Sequence, residues 1–312
     1  MSSLIEQAAQ RLEQLRQAGV ELPPGAESAA APAQRAPVAA EGPGLASSRR
    51  VELDLEAIGA TGIVTPNRPR GLMADQYRVI KRPLIANATG RGAATVKHGN
   101  LIMVTSAMSG EGKSFTSVNL ALSIAAELDH TVMLVDADVA RPSIVRMLGL
   151  PEGPGLLDVL EGKALLAEAL LRTNVDKFTI LPSGTPHPKA TELLASEAMN
   201  ALLDEMATRY PDRIIIFDSP PLLLTTEASV LASHMGQIVV VVAAGRTLQA
   251  AVQQALETIS SCPVRLLVLN KARAAGGGYG YRYGYGGYGY GYGYGYGYGQ
   301  GAAASATGKT EG

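Results

Sequence analysis

The chain has 312 residues, 46% of them hydrophobic and 18% charged, with a formal net charge of −1. Such a length holds one large domain or two small ones, and the near-neutral balance excludes a general nucleic-acid footprint. No signal-peptide pattern opens the sequence, and its longest apolar run, Ile238 to Ala244, is far too short to cross a bilayer. A lone cysteine, Cys262, excludes an internal disulfide and fits a reducing compartment, so the expected address is cytoplasmic.

At the start, Ser3 and Glu6 have capping-box spacing, and Ile5, Ala8, Ala9, Leu12 and Leu15 form one apolar stripe. This predicts an amphipathic helix over 1–18, docked on its own body or on a partner, because a helix this short is marginal alone. Residues 19–48 are rich in Ala, Pro, Ser and Gly, which predicts a disordered linker ahead of a folded domain over 49–275. Within that domain, Val51, Leu53 and Leu55 alternate with Glu52 and Asp54 as in a half-buried strand. Leu72 to Ala88 is expected to be helical, with Tyr77, Ile80 and Leu84 on one side and Pro83 bending its end.

The most informative stretch follows. Leu101 to Val104 reads as a buried strand, and from Lys113 apolar residues recur at helical spacing at Phe115, Val118, Leu122 and Ala125. Between them, Ala107-x-x-x-x-Gly112-Lys113-Ser114 is a phosphate-binding P-loop pattern with Ala in place of the first Gly. The nucleotide-binding candidates are therefore Ser109, Gly110, Glu111, Gly112, Lys113, Ser114 and Phe115. Gly110 and Gly112 let backbone N–H groups curl around phosphate oxygens, and the positive end of the helix faces the same anion. Lys113 is placed to reach the β- and γ-phosphates of ATP, and the Ser114 hydroxyl to hold Mg²⁺.

Beyond the P-loop, apolar runs at Thr131 to Val135, Phe178 to Leu181, Arg213 to Phe217, Gln237 to Ala243 and Val264 to Leu269 read as strands buried on both faces. Helical patterns alternate with them at Lys113 to Leu128, Thr191 to Arg209 and Thr247 to Ser260. The fold class is therefore α/β, a mostly parallel sheet with helices on both faces and ligands gathered beyond the carboxyl ends of the strands. Acids sit at those ends. Asp136 and Asp138 follow one strand and Asp218 follows another, as metal and catalytic candidates beside the P-loop. Either Asp136 or Asp138 is available as a base for a phosphoryl acceptor, with Asp136 and Asp218 joining Ser114 as the metal candidates. Asn270, after the last strand, offers both a donor and an acceptor to an adenine edge or to a turn. The Gly184 to Pro188 loop either borders an acceptor site or is a rigid turn.

Residues 276–300 hold ten of the twelve tyrosines, namely Tyr279, Tyr281, Tyr283, Tyr285, Tyr288, Tyr290, Tyr292, Tyr294, Tyr296 and Tyr298, interleaved with glycine. Glycine has no face to bury, so residues 276–312 are expected to be a disordered tail and not a strand. Attached to a nucleotide-binding domain, a row of phenols on flexible backbone reads as a set of phosphate acceptors. An extended run to Tyr298 spans roughly 90 Å, enough to enter a neighbour's site.

Together, Ser3-Leu-Ile-Glu-Gln-Ala8, Gln76 to Leu84, Met103 to Leu122, Leu134 to Pro142, Ala190 to Ala195, Ile216 to Pro221 and the tyrosine tail resemble a bacterial tyrosine autokinase of the polysaccharide co-polymerase type. The narrower resemblance is to its exosortase- and exopolysaccharide-associated subgroup. It implies a P-loop ATPase core related to MinD and ParA, and ATP- and Mg²⁺-dependent phosphorylation of the tail within a homo-oligomer. It also implies a membrane-anchored chain-length determinant as activator, a cognate tyrosine phosphatase, control of exopolysaccharide export, and a peripheral position at the inner membrane. The family's acidic-x-x-Arg-x-x-Arg oligomer contact corresponds here to Asp75, Arg78 and Lys81, with Lys in place of the last Arg. One alternative is a MinD/ParA-like switch ATPase; those proteins carry a signature lysine where this chain has Met108. Another is a nucleotide-binding scaffold without catalysis.

Overall fold

The run beginning at Leu101 becomes the centre of the molecule. The computed structural model describes residues 48–272, apart from 69, 94, 210 and 211. The helix expected over 1–18, the linker up to residue 47 and the tyrosine tail lie outside the described residues. Strands β1 (Arg49–Arg50), β2 (Leu101–Ser106), β3 (Thr131–Asp136), β4 (Leu171–Arg172), β5 (Phe178–Leu181), β6 (Arg213–Asp218), β7 (Gln237–Ala243) and β8 (Val264–Asn270) form one sheet. Their order is β1-β4-β5-β3-β6-β2-β7-β8. Every pairing is parallel except that of β4 with β5. A mostly parallel sheet must cover both faces, and it does so with two apolar layers. Leu101, Met103, Met133 and Phe217 face one layer, while Ile102, Val104, Leu134 and Ile216 face the other.

Helices α1 (Leu55–Ala60), α2 (Leu72–Ala88), α3 (Lys113–Ala125), α4 (Ile144–Met147), α5 (Leu156–Leu160), α6 (Leu166–Ala169), α7 (Ala190–Leu194), α8 (Glu197–Arg209), α9 (Glu227–Ala232) and α10 (Gln249–Thr258) connect the strands. The helix after the P-loop, α3, packs nearly its whole length into the core; Val118, Leu120, Leu122 and Ile124 are at most 1% exposed. Cys262 is buried, as a core residue should be.

Three expectations change. The strand read across Val51, Leu53 and Leu55 stops after Arg50, and Leu55 opens α1. Asp54 explains the switch, because its carboxylate accepts from Glu56 N and Ala57 N and so caps the helix. Leu53 still gains strand-like partners, since the Asn174 side-chain amide bonds its N–H at 2.8 Å and its carbonyl at 3.1 Å. The helix read from Thr191 to Arg209 is two helices, divided at Ser196, whose hydroxyl accepts from Met199 N at 3.3 Å. Finally, β8 is an edge strand and not buried on both faces: Leu267 is 56% and Leu269 65% exposed.

Candidate active site

The loop between β2 and α3 is shaped by its neighbours. Gly110 (φ 77°) and Gly112 (φ 101°) adopt the left-handed conformation that lets the backbone curl. Glu111 is only 3% exposed; its carboxylate accepts from Met108 N at 2.8 Å and from the Thr247 hydroxyl beyond β7. Asn270 Nδ2 donates to the Glu111 carbonyl at 2.9 Å, and Lys271 Nζ donates to the Gly110 carbonyl at 2.5 Å. A Cβ on Gly112 would meet Asn270 Nδ2 at 2.1 Å and displace the amide that bonds the Glu111 carbonyl, while the positive φ itself calls for glycine. The ends of β7 and β8 thus hold the loop in shape from outside. Glu111, read as a phosphate-loop residue, works through its side chain on the protein and leaves only its backbone toward the loop interior.

The acids come together because β3 and β6 are neighbours in register. Asp136 lies opposite Asp218, and both are 0% exposed. One oxygen of each is used. Asp136 Oδ2 accepts from Ser143 N and Ile144 N, both at 3.0 Å, and Asp218 Oδ1 accepts from Ser117 Oγ at 3.0 Å. The other two oxygens, Asp136 Oδ1 and Asp218 Oδ2, are buried without a hydrogen-bond partner. Burial, then the neighbouring Asp218 charge, pushes Asp136 up to about 7 against the pull of the Ile144 and Ser143 N–H groups. Burial pushes Asp218 up to about 6, opposed first by the Lys113 ammonium and then by the Ser114 and Ser117 hydroxyls. Two register-paired carboxylates, each with an unmatched oxygen, beside a serine hydroxyl, fit a hard divalent cation. Among the described residues no three His, Cys, Asp or Glu side chains are arranged to hold a metal by themselves. Mg²⁺ needs only one or two carboxylates, with phosphate and water completing its shell.

Lys113 crosses this site. Its Nζ lies 2.5 Å from Asp138 Oδ2 and 3.3 Å from Ser114 Oγ. The pair is largely sheltered, with side chains 12% and 6% exposed. Asp138 Oδ1 also accepts from Arg141 N at 3.3 Å. The two acids left open as bases therefore differ: Asp136 spends one oxygen anchoring the start of α4, whereas Asp138 faces the P-loop lysine.

Phe115 turns away from the loop and packs, partly buried, against the layer that contains Val118 and Leu122. In α2, Asp75 is exposed and Arg78 half-buried, and the two are paired with each other. Lys81 is not on that surface. It is 4% exposed, and its ammonium lies 2.5 Å from both Glu127 Oε1 and the Ser123 carbonyl, tying α2 to the end of α3. The tail tyrosines, Tyr279 to Tyr298, lie outside the described residues. Sequence reasoning missed Ser117 and Thr247, and with them the grip of the β7 and β8 ends on the loop. A hydroxyl one turn into α3 and a threonine just past a strand were the available signals. Among the described residues no helix is long and apolar enough to cross a membrane.

Comparison with known proteins agrees with this geometry. Residues 97–269 match the family described as ParA, NUBPL iron-transfer P-loop NTPase. Tyrosine-protein kinase YwqD of Bacillus subtilis (strain 168) is 32% identical over 205 residues, covering 66% of this chain and 83% of YwqD. Tyrosine-protein kinase CpsD of Streptococcus agalactiae is 34% identical over 179 residues, 56% of this chain and 76% of CpsD. Among solved structures, the VpsO kinase domain superposes with a TM-score of 0.52 at 27% identity, covering 65% of this chain and 100% of that domain. With a P-loop, register-paired strand-end acids and these relatives, the chain belongs to the bacterial tyrosine-protein kinases, built on the ParA-type P-loop NTPase fold.

Proposed function

We propose that this kinase is an ATP- and Mg²⁺-dependent autokinase whose acceptors are the tyrosines of its own tail, presented by another copy. The observation that supports it best is the pair of unmatched oxygens on Asp136 and Asp218, set beside Lys113, Ser114 and Asp138. Such an arrangement is useful for a polyphosphate with its cation, and the same chain carries ten clustered phenols. Ser114, Asp136 and Asp218 would hold Mg²⁺, which when bound offsets the negative charge of the phosphates. The backbone from Ser109 to Ser114 cradles those phosphates, and Phe115 packs under the start of the helix that receives them. The base fits the groove of about 540 Å³ between α2 and the end of β8, lined by Tyr77, Thr116 and Asn270. Asn270 has already given one N–H to the loop, so its remaining N–H is the group available to an adenine edge.

In the transfer, the tyrosine oxygen forms a bond to the γ-phosphorus, the bond to the ADP oxygen breaks, and the phenol proton passes to a carboxylate. Asp138 is the better placed base, because Asp136 is committed to the start of α4. Lys113 and the phosphates compete here. As the ammonium turns to the phosphates, the carboxylate of Asp138 is released to accept the proton.

On this reading residues 49–275 are the kinase domain, 276–312 the acceptor tail, 19–48 a linker and 1–18 a docking helix. Contact between copies is assigned to Asp75 and Arg78 without Lys81, whose charge is consumed inside the domain. The family resemblance supports the wider setting: a membrane-anchored chain-length determinant as activator, a cognate tyrosine phosphatase, and control of exopolysaccharide polymerisation and export from the inner face of the membrane. Intact-mass measurement of the purified chain before and after Mg-ATP tests the reading. A ladder of added phosphates on residues 276–300 is expected, and ATP hydrolysis with no added mass, even with the activator's cytoplasmic segment present, would favour a switch ATPase.

A further inference from the structure

A second cleft opens beside the acids, on the side away from the nucleotide groove. It has a volume of about 870 Å³ and lies between the turn after β3, the loop before α5 and the loop after β5. Pro142, Pro154, Pro182 and Pro186 line it, together with Arg146 and Glu152. Its near wall begins one residue beyond Arg141, whose N–H is bonded to Asp138.

The cleft is built, not a gap between loose loops. Asp158 Oδ2 accepts from Gly155 N at 2.8 Å and from Thr185 N at 2.9 Å, clamping the two far walls together. Leu156 N and Leu157 N add bonds to the carbonyls of Pro182 and Ser183, at 2.8 and 3.0 Å. The walls are so close that a Cβ on Gly155 would fall 2.2 Å from the Pro182 carbonyl oxygen. One cation is left over: among the described residues the Arg146 side chain is exposed and has no hydrogen-bond or ion-pair partner. Arg49 Nη1 approaches the same wall, 3.7 Å from where a side chain on Gly153 would begin.

From this placement we infer that the proline-lined cleft is a docking subsite for the Tyr/Gly tail, residues 276–300, holding one tyrosine of the repeat while another reacts at Asp138. The inference rests on the reading of the tail as acceptor. Rigid proline faces with an adjacent guanidinium suit a phenol ring, and a guanidinium pairs bidentately with a phosphate once the ring has been modified. Spacing fits as well. Tyrosines two to four residues apart on an extended chain are roughly 7–14 Å apart, the reach of the few residues from Asp138 to the cleft wall. The tail is also long enough. An extended run from Asn270 to Tyr298 spans roughly 90 Å, enough to carry tail tyrosines into this cleft on the copy whose site is used. Arg146 therefore makes a tail that already carries phosphate a better substrate than a fresh one, and modification becomes clustered on individual chains.

The test is the distribution of phosphates per chain, read by intact mass over time in full-length wild type, Arg146→Ala, Arg146→Lys and the double variant Pro154→Ala/Pro186→Ala. The first phosphate should appear within about two-fold of the wild-type rate in Arg146→Ala, with the upper half of the ladder lost and partly restored in Arg146→Lys. The proline variant should raise KM for a synthetic Gly-Tyr repeat peptide several-fold with kcat little changed. Ladders and KM superimposable on wild type, in variants that melt normally, overturn the docking subsite while leaving the autokinase reading standing. A wild type that hydrolyses ATP and labels no tail tyrosine overturns both.

Discussion

The centre and the edge of the sheet obey different rules. In β2 all six residues are buried, and in β3 and β6 only the first is not. In β8 no residue is buried, and leucines stand in solvent. The paired carboxylates of Asp136 and Asp218 sit at the buried centre, where a charge is costly. The edge serves by contact instead: through Asn270 and Lys271 it props the phosphate loop. A rigid, poorly hydrated strand end keeps these two carboxylates in register, each with an oxygen to spare.

The sharpest way to break this contrast is at its chemical focus. Lys113→Met or Asp218→Asn should lower the rate of tail phosphorylation by at least about 10²–10³-fold with the fold intact, measured as phosphotyrosine formed per minute alongside circular dichroism. Stability should follow the same division. Phe217→Ala, at a position 0% exposed in β6, should cost about 3–5 kcal/mol in denaturant unfolding.

The acids themselves make a finer test. Asp136 and Asp218 have folded-state pKa values raised to about 7 and about 6, above the unfolded carboxylate value near 4. Between those limits the folded chain holds protons that the unfolded chain has released, so stability is greatest at the acid end of the window and declines as pH rises through it. Asp136→Asn keeps an acceptor for Ser143 N and Ile144 N and removes the buried charge. It should flatten the slope and melt above wild type at pH 8 by several degrees in thermal scans without nucleotide. Smallest of all, Leu267→Ala on the exposed edge should change unfolding free energy by no more than about 0.5 kcal/mol.

Legibility in the sequence followed the same gradient. The central strands were readable because a run buried on both faces is apolar nearly throughout, and Phe178–Leu181 and Gln237–Ala243 have the same ends in sequence and structure. The P-loop was legible from its spacing, and the structure brings the acids read at the ends of β3 and β6 into register. What was lost depends on tertiary contact. The apolar run of β8 reads like a central strand, and the local sign against that was Arg265, its second residue. Asp54 turned an alternating pattern into a helix start through two hydrogen bonds. Lys81 looked like a surface charge until Glu127, 46 positions away, was seen beside it. Thr247 and Ser117 became visible only when folding brought them to Glu111 and Asp218.

The central claim, that one copy's site phosphorylates another copy's tail, is tested most directly by mixing two full-length chains. One carries Lys113→Met with its tail tyrosines intact; the other keeps the site but has all ten residues from Tyr279 to Tyr298 changed to Phe. After Mg-ATP, intact masses are read for each. Phosphates accumulating on the Lys113→Met chain, and only there, are the predicted result. An unmodified Lys113→Met chain in that mixture, under conditions where wild type labels its own tail, would contradict transfer between copies.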